Sequence, residues 1–276
     1  MVTKTLLIMT MAMGFLQGTV PPVFSAPKLD LWSRFEENNA ESAAEVDHEL
    51  WGEFLARYLI TDHPSGISRV RYSAVEPTDR QKLADYVKRL QAVEVDSLNR
   101  AAQKAYWINF YNALTVKVVL DHYPVKSIRD IDISPGLFSN GPWDAKLVRV
   151  QGENVSLNDM EHRILRPIWK DNRVHYAVNC ASLGCPNLQP EPFTARNVES
   201  LLEKAAGEYI NHPRGARFDG DRLVVSSIYS WFRVDFGNSD EDLVRHLLRY
   251  ARGDLGDKLR NFRGAVDNAY DWALNE

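Results

Sequence analysis

From Arg100 to Leu120 the chain reads RAAQKAYWINFYNALTVKVVL. It is the longest apolar-periodic stretch in the sequence: Ala105, Ile108, Tyr111, Asn112, Leu114, Val118 and Val119 populate adjacent faces of a helix. The spacing predicts a central, largely buried helix. Tyr123-Pro124 stops it, because the residue before proline is pushed out of helical geometry.

Working upstream, Leu50, Phe54, Leu55 and Tyr58 recur at spacings of three and four and predict an amphipathic helix over 46–59. A turn cluster, Asp62-His63-Pro64-Ser65-Gly66, follows. Arg71 to Val75 reads as a short extended piece. Thr78 with Gln81 three residues on suggests a capping box opening a helix that turns Leu83, Tyr86, Val87 and Leu90 inward.

Downstream, Lys146 to Val150 predicts a strand entering a turn at Gly152-Glu153-Asn154. Ser156 caps a helix from Leu157 to about Leu165, ended by Pro167. The β-rich Val174-His175-Tyr176-Ala177-Val178 predicts a buried strand whose end delivers Cys180. Asn197 to Ile210 is a further amphipathic helix. Arg222 to Val225 is one strand of a hairpin turned at Asp219-Gly220-Asp221, and Ser239 caps a helix running to Tyr250. Helices outnumber strands without regular βαβ alternation, which points to a helix-rich α+β single domain with a small, mostly antiparallel sheet.

The chain has 276 residues, 45% hydrophobic and 25% charged, with a net charge of -4. These values describe an ordinary globular protein and argue against nucleic acid as a partner. At the N-terminus Lys4 precedes an apolar run from Leu6 to Leu16, followed by Val23, Ser25 and Ala26: a secretory signal pattern. The run is far shorter than the roughly 20 residues a membrane-spanning helix needs. Residues 1–25 are therefore expected to be a signal peptide and residues 26–276 a globular domain. The product is expected in the periplasm or medium, without stable membrane insertion after cleavage.

Reactive side chains concentrate between Glu161 and Cys185. Both cysteines of the chain lie there. A thiol at a strand-to-turn junction can become a thiolate beside an imidazolium or free N–H groups, and Cys180-Ala181-Ser182-Leu183-Gly184 could supply such N–H groups. His162 is the favoured base. Glu161 adjoins it, but neighbouring helical residues point about 100° apart. His175, five residues before Cys180, would face away along a straight strand. Three readings of the cysteines stay open: a structural Cys180–Cys185 disulfide, a reactive Cys180, and a metal site of His175, Cys180, Cys185 and His162 whose spacing matches no familiar zinc pattern. Asn109, Asn112 and Tyr111 on the central helix, with Ser182 and Trp231, are candidate binding residues. Core packing and satisfied hydrogen bonds are the competing role for the asparagines and aromatics.

Taken together, AYWINFYNAL at 105–114, SLNDMEH at 156–162 and HYAVNCASLGCP at 175–186 resemble the domain of unknown function 547 family. YPVKSI at 123–128, SSIYSWF at 226–232 and YDW at 270–272 extend the resemblance over most of the chain beyond the signal segment. The resemblance implies shared positions at Asn109, Asn112, Glu161, His162, His175 and Cys180. Plant relatives of the family carry serine where Cys185 stands, which implies an independently used Cys180 thiol. By chemical analogy alone, a papain-like or transglutaminase-like core is expected, in which Cys180 attacks an amide or thioester carbonyl, His162 moves the proton and backbone N–H groups after Cys180 hold the oxyanion. The partner would be a small molecule or peptide, with no cofactor. The competing expectation is a non-catalytic ligand- or peptide-binding module with the cysteines bridged.

Overall fold

The computed structural model describes residues 28–136 and 140–276, so the signal segment expected over residues 1–25 lies outside the described residues. Helix α1 (Glu49–Tyr58) buries Trp51, Phe54, Leu55 and Tyr58. It leads into β1 (Leu59–Ile60), paired antiparallel with β2 (Arg69–Val70). Helix α2 (Pro77–Gln91) begins on a proline, where the missing N–H has no partner to lose, and turns Leu83, Tyr86, Val87 and Leu90 inward. The long α3 (Arg100–His122) starts on Asn99, whose side chain accepts the Ala102 N–H, and ends at an extended Tyr123.

Strands β3 (Val148–Val150) and β4 (Glu153–Val155) form a hairpin. Its turn is Gln151-Gly152, with φ of 46° and 88°, the doubly left-handed turn whose twist suits a hairpin. A π-helical turn (Asp159–Leu165) then continues into α4 (Arg166–Trp169), and a 3-10 turn spans Asn172–Tyr176. Helix α5 (Val198–Ile210) precedes β5 (Ala216–Asp219) and β6 (Arg222–Ser226). After them come α6 (Ser227–Trp231), α7 (Asp240–Leu247), α8 (Gly253–Asn261) and β7 (Val266–Ala269). The sheets are small; β6 joins β5 antiparallel and β7 parallel. The architecture is helix-rich α+β, and no helix among the described residues is long and apolar enough to cross a membrane.

Burial on every side explains why α3 is central. Tyr106, Trp107, Ile108 and Phe110 are 0% exposed, and the helix packs against α2, the π-helical turn and α5. A second apolar cluster gathers Tyr209, Leu223, Tyr229, Leu243 and Leu259 beneath β6 and helices α5, α7 and α8.

Four local readings change. The stretch 174–178 is no strand: the Asp171 side chain accepts the Arg173 N–H and starts a 3-10 turn, so a β-prone sequence yields to a cap and burial. The opposite-faces argument for His175 and Cys180 falls with it. Residues 72–74 also form a 3-10 turn, with only 69–70 extended. Helix α2 makes no side-chain N-cap hydrogen bond, so Thr78 opens no capping box. Pro167 lies inside a helix rather than after one. The Arg163 carbonyl that its missing N–H would have served accepts the Trp32 N–H at 2.9 Å instead.

Residues 270–276 close the structure over the cysteine loop. Leu183 and Gly184 donate backbone N–H groups to Ala273 and Asp271, and Asn275 donates to the Ala181 carbonyl while accepting from Val70. A side chain on Gly184 would meet the Tyr270 ring at 2.8 Å, so only glycine fits. Asn275 is 1% exposed; its Oδ1 accepts the Tyr72 hydroxyl at 3.0 Å and its Nδ2 reaches Asn179 Oδ1 at 3.4 Å. Replacing Asn275 with Ala should leave the Tyr72 hydroxyl buried without a partner and cost about 1–3 kcal/mol. Urea unfolding measures this, and an unchanged midpoint would show that these residues do not hold the loop.

Candidate active site

The site begins with an amide on α3. Asn112 donates from Nδ2 to the Ala177 carbonyl at 2.9 Å and accepts the Asn179 N–H on Oδ1 at 2.8 Å. The Asn179 side chain in turn accepts the Ala181 N–H at 2.8 Å, which stabilises Ala181 at a φ of 59°. That left-handed conformation costs a non-glycine residue roughly 1–2 kcal/mol. The turn it makes brings the two sulfurs together.

Both cysteines are free thiols, Cys180 half-buried and Cys185 buried. The Cys180 N–H donates to Cys185 Sγ at 2.9 Å, and the Ser182 hydroxyl lies 3.4 Å from each sulfur. The Tyr270 hydroxyl is 3.2 Å from Cys180 Sγ, 3.1 Å from Cys185 Sγ and 2.9 Å from Ser182 Oγ. Burial alone would raise the Cys185 thiol, but hydrogen bonds from Cys180, Ser182 and Tyr270 outweigh it and bring it to about 6. The Cys180 thiol is pushed up, first by its hydrogen bond to Cys185 and then by burial. The pair therefore shares its protons. It holds one negative charge readily and resists a second.

A charged cluster stands on the far side of Tyr111, whose phenol is raised chiefly by burial and also feels Glu161, Cys180 and Cys185. His175 Nε2 meets Asp235 Oδ2 at 2.6 Å and its Nδ1 lies 3.6 Å from Glu161. Arg166 Nε donates to the same Asp235 oxygen at 2.6 Å, and a terminal nitrogen lies 3.0 Å from His162 Nδ1. The Phe232 ring stacks on His175 at 4.4 Å and lies under Arg166 at 4.6 Å. Burial opposes charge on His175, but Asp235 and Glu161 prevail and raise its pKa. His162 is instead lowered to about 4, chiefly by burial. Glu161 and Asp235 carry two negative charges against two positive ones on His175 and Arg166, so the buried cluster is balanced.

The π-helical turn explains how Glu161, His162 and Arg166 converge, since such a turn widens the helix and re-aims its side chains. Glu161 does sit near both histidines, 4.0 Å from His162 and 3.6 Å from His175. Neither ring meets a sulfur, however: the hydrogen bonds of Cys180 Sγ go to Ser182 and Tyr270. With Arg166 donating to Nδ1, neutral His162 carries its proton on Nε2 and is no base toward Cys180. Of the expected oxyanion donors, the N–H groups of Ala181, Leu183 and Gly184 pair with Asn179, Ala273 and Asp271. Asn109 and Asn112 serve the fold: Asn109 bonds both backbone groups of Phe193. Among the described residues no three His, Cys, Asp or Glu side chains group to hold a metal ion, so His162, His175, Cys180 and Cys185 form no ligand set.

Trp231 and Trp272 flank Tyr270 at 4.8 and 4.7 Å, making an aromatic wall beside the thiol pair. A separate open cleft of about 410 Å³ between α1 and α2 shares no residue with this site, and its charges are internally paired, Arg57 with Asp79 and Lys82 with Glu53. Reading the sequence misses Arg166, Asp235 and Tyr270. Arg166 is signalled only by its position one helical turn beyond His162.

A family model described as "Protein of unknown function, DUF547" matches residues 95–210, in agreement with the motif resemblance. The match includes α3, the π-helical turn, the cysteine loop and α5, while Asp235 and Tyr270 lie beyond it. No curated protein and no solved structure matches the chain.

Asp235→Ala should cost about 3–5 kcal/mol, because it strands a buried guanidinium and imidazolium; a loss below 1 kcal/mol in denaturant unfolding would refute the balanced-cluster account. The buried histidines set a pH dependence. His48, His162 and His246 are each lowered to about 4, chiefly by burial, so between that value and the ordinary 6.5 the unfolded chain binds more protons than the folded one. Their contribution is complete above pH 6.5 and is lost as the pH falls toward 4, at up to roughly 1.4 kcal/mol per pH unit for each ring. His175, with its pKa raised, acts in the opposite sense: its contribution is complete below 6.5 and lost as the pH rises through its folded value. The urea midpoint should therefore fall between pH 6.5 and 4.5, and a flat profile over that interval would count against the burial account.

Proposed function

We infer that the chain performs thiol-dependent acyl chemistry at Cys180, as a hydrolase or acyl transferase acting on a peptide or small amide or thiol compound. The observation that carries this reading is the half-buried Cys180 sulfur lying with a second thiol under the Ser182 and Tyr270 hydroxyls. The hydrogen bonds that bring the Cys185 thiol to about 6 against its burial make it the member of the pair that holds the anion near neutral pH. That anion can serve as the base that the histidines do not supply.

In this scheme Cys180 attacks the carbonyl carbon as its proton passes to the Cys185 thiolate. A carbon–sulfur bond forms, and the charge on the carbonyl oxygen is met by the Ser182 and Tyr270 hydroxyls. Cys185 then returns the proton to the departing amine or thiol as its bond to carbon breaks. Water, or an acceptor thiol or amine, attacks the resulting thioester and regenerates Cys180. Trp231 and Trp272 suit an apolar group on the acyl donor.

The proximity of the sulfurs favours a second reading, a ligand-binding module in which Cys180 and Cys185 are joined. It fits the proposed export of the chain, with residues 1–25 as the signal segment, into an oxidising compartment. Two measurements separate the readings. Incubating the reduced protein with aryl thioesters should give an acyl adduct by intact mass, mapped to Cys180, absent in Cys180→Ser and at least tenfold slower to form in Cys185→Ser. Failure to form an adduct or turn over thioesters, esters and amides, together with a native protein that resists alkylation until reductant is added, would replace the enzyme with the binding module.

A further inference from the structure

Arg214 lies on the turn after α5, and its guanidinium spans the cysteine loop. One terminal nitrogen donates to the Leu183 carbonyl at 3.1 Å and the other to Asn187 Oδ1 at 2.6 Å, so it grips the loop on both sides of Cys185. The Tyr209 ring lies under it at 5.4 Å, and the Tyr209 hydroxyl donates to the Gly184 carbonyl at 2.6 Å. Its Nε is buried with no hydrogen-bond partner. Among the described residues no carboxylate lies within ion-pair distance of Arg214; Glu208, the acid whose charge reaches it, is paired with Lys204. A cation set into the fold without an anion is costly.

The groups around the pair narrow the choice of counter-charge. Cys180 and Cys185 lie on the loop itself, Tyr209 faces it from α5, Tyr270 from the closing segment, Tyr72 from beside β2 and Tyr111 from α3. Burial raises all four phenols, keeping them neutral at physiological pH. With Glu208 already paired to Lys204, a thiolate is the remaining counter-charge in contact with the loop, and the Cys185 charge acts on Arg214 more strongly than that of Glu208.

We propose that Arg214 is a positioning residue of the thiol site: its guanidinium, held on Leu183 and Asn187, is the fixed counter-charge that keeps the Cys180–Cys185 pair singly ionised. This rests on the reading of the pair as the reactive centre and extends it to a residue beyond the matched segment. The same charge favours anionic over cationic acyl donors at Cys180, because it offsets added negative charge next to a thiolate.

The test is the pH dependence of iodoacetamide alkylation at Cys180 and Cys185, read by peptide mapping in the reduced full-length protein. Wild type is compared with Arg214→Met, Arg214→Lys and Arg214→Gln, and folding is followed by circular dichroism. Removing an opposing charge whose field reaches the thiol raises the apparent pKa by about one unit. Arg214→Met should therefore react roughly fivefold more slowly at pH 6 and approach tenfold at pH 5, converging on wild type above pH 10, with Arg214→Lys keeping most of the wild-type profile. Should the methionine variant not fold, Arg214→Gln supplies the neutral arm while retaining a donor for the Leu183 carbonyl. Profiles of the neutral variant and wild type that superimpose overturn the role of Arg214, as does an equal shift in the lysine and neutral variants. An ordinary thiol profile in the wild type instead overturns the reading of the pair on which the proposal rests.

Discussion

A helix enclosed on every side has no water to satisfy its polar side chains, and that constraint on α3 organises the rest of the molecule. Gln103 donates to the carbonyls of Glu37 and Val95. Lys104, 3% exposed, bonds Asp171 and Glu199. Asn109 takes both backbone groups of Phe193, and Asn112 ties together Ala177 and Asn179. Each of these four residues thus fixes a different segment to one rigid rod. Apolar packing supplies the driving force, while these four side chains decide where the loops attach.

The site inherits its precision from this arrangement. Cys180 lies one residue beyond the Asn112 clamp, and the left-handed Ala181 follows at once. Tyr111 stands on the same helix between two chemically different groups: a thiol pair that shares its protons, and a charged cluster whose two negative and two positive members cancel. Balanced charges are expected where a cluster is buried. At the thiol loop no carboxylate among the described residues lies within ion-pair distance of Arg214, and in the proposed scheme the singly ionised thiol pair supplies the balancing charge.

Some of this organisation is legible in the sequence. The periodicity around Trp107 marks the buried helix, and the density of Glu161, His162, His175, Cys180 and Cys185 marks two segments that do meet in space. Their grouping is another matter. His162 reads as the base for Cys180 because imidazole beside thiol is familiar chemistry, yet Arg166, one turn on, takes its Nδ1. Asp235 comes from a short 3-10 turn with no periodic pattern, and Tyr270 sits in a segment placed only by tertiary contacts. Val174 to Val178 has strand-like side chains, but the backbone conformation is decided by the Asp171 cap and the surrounding core. Helix α8 carries Gly253 and Gly256 and a mostly polar sequence, so neither propensity nor apolar periodicity announces it. Local signals report what a segment prefers alone; these elements depend on partners distant in the chain.

The segment that closes over the cysteine loop also ties the chemistry to the order of synthesis. Tyr270 follows Cys180 by 90 positions, so a growing chain exposes both sulfurs well before the hydroxyl that bridges them exists. Until Ala273 and Asn275 pair with the loop, the thiols are accessible, untuned and open to oxidation or mispairing. The scaffold of α3 and its clamps comes from earlier parts of the chain, whereas the proton-sharing pair is complete only once the last segment is in place. The late segment acts as a built-in check on completeness: a chain that stops short of it has the cysteines but not the microenvironment that distinguishes them from any other thiols.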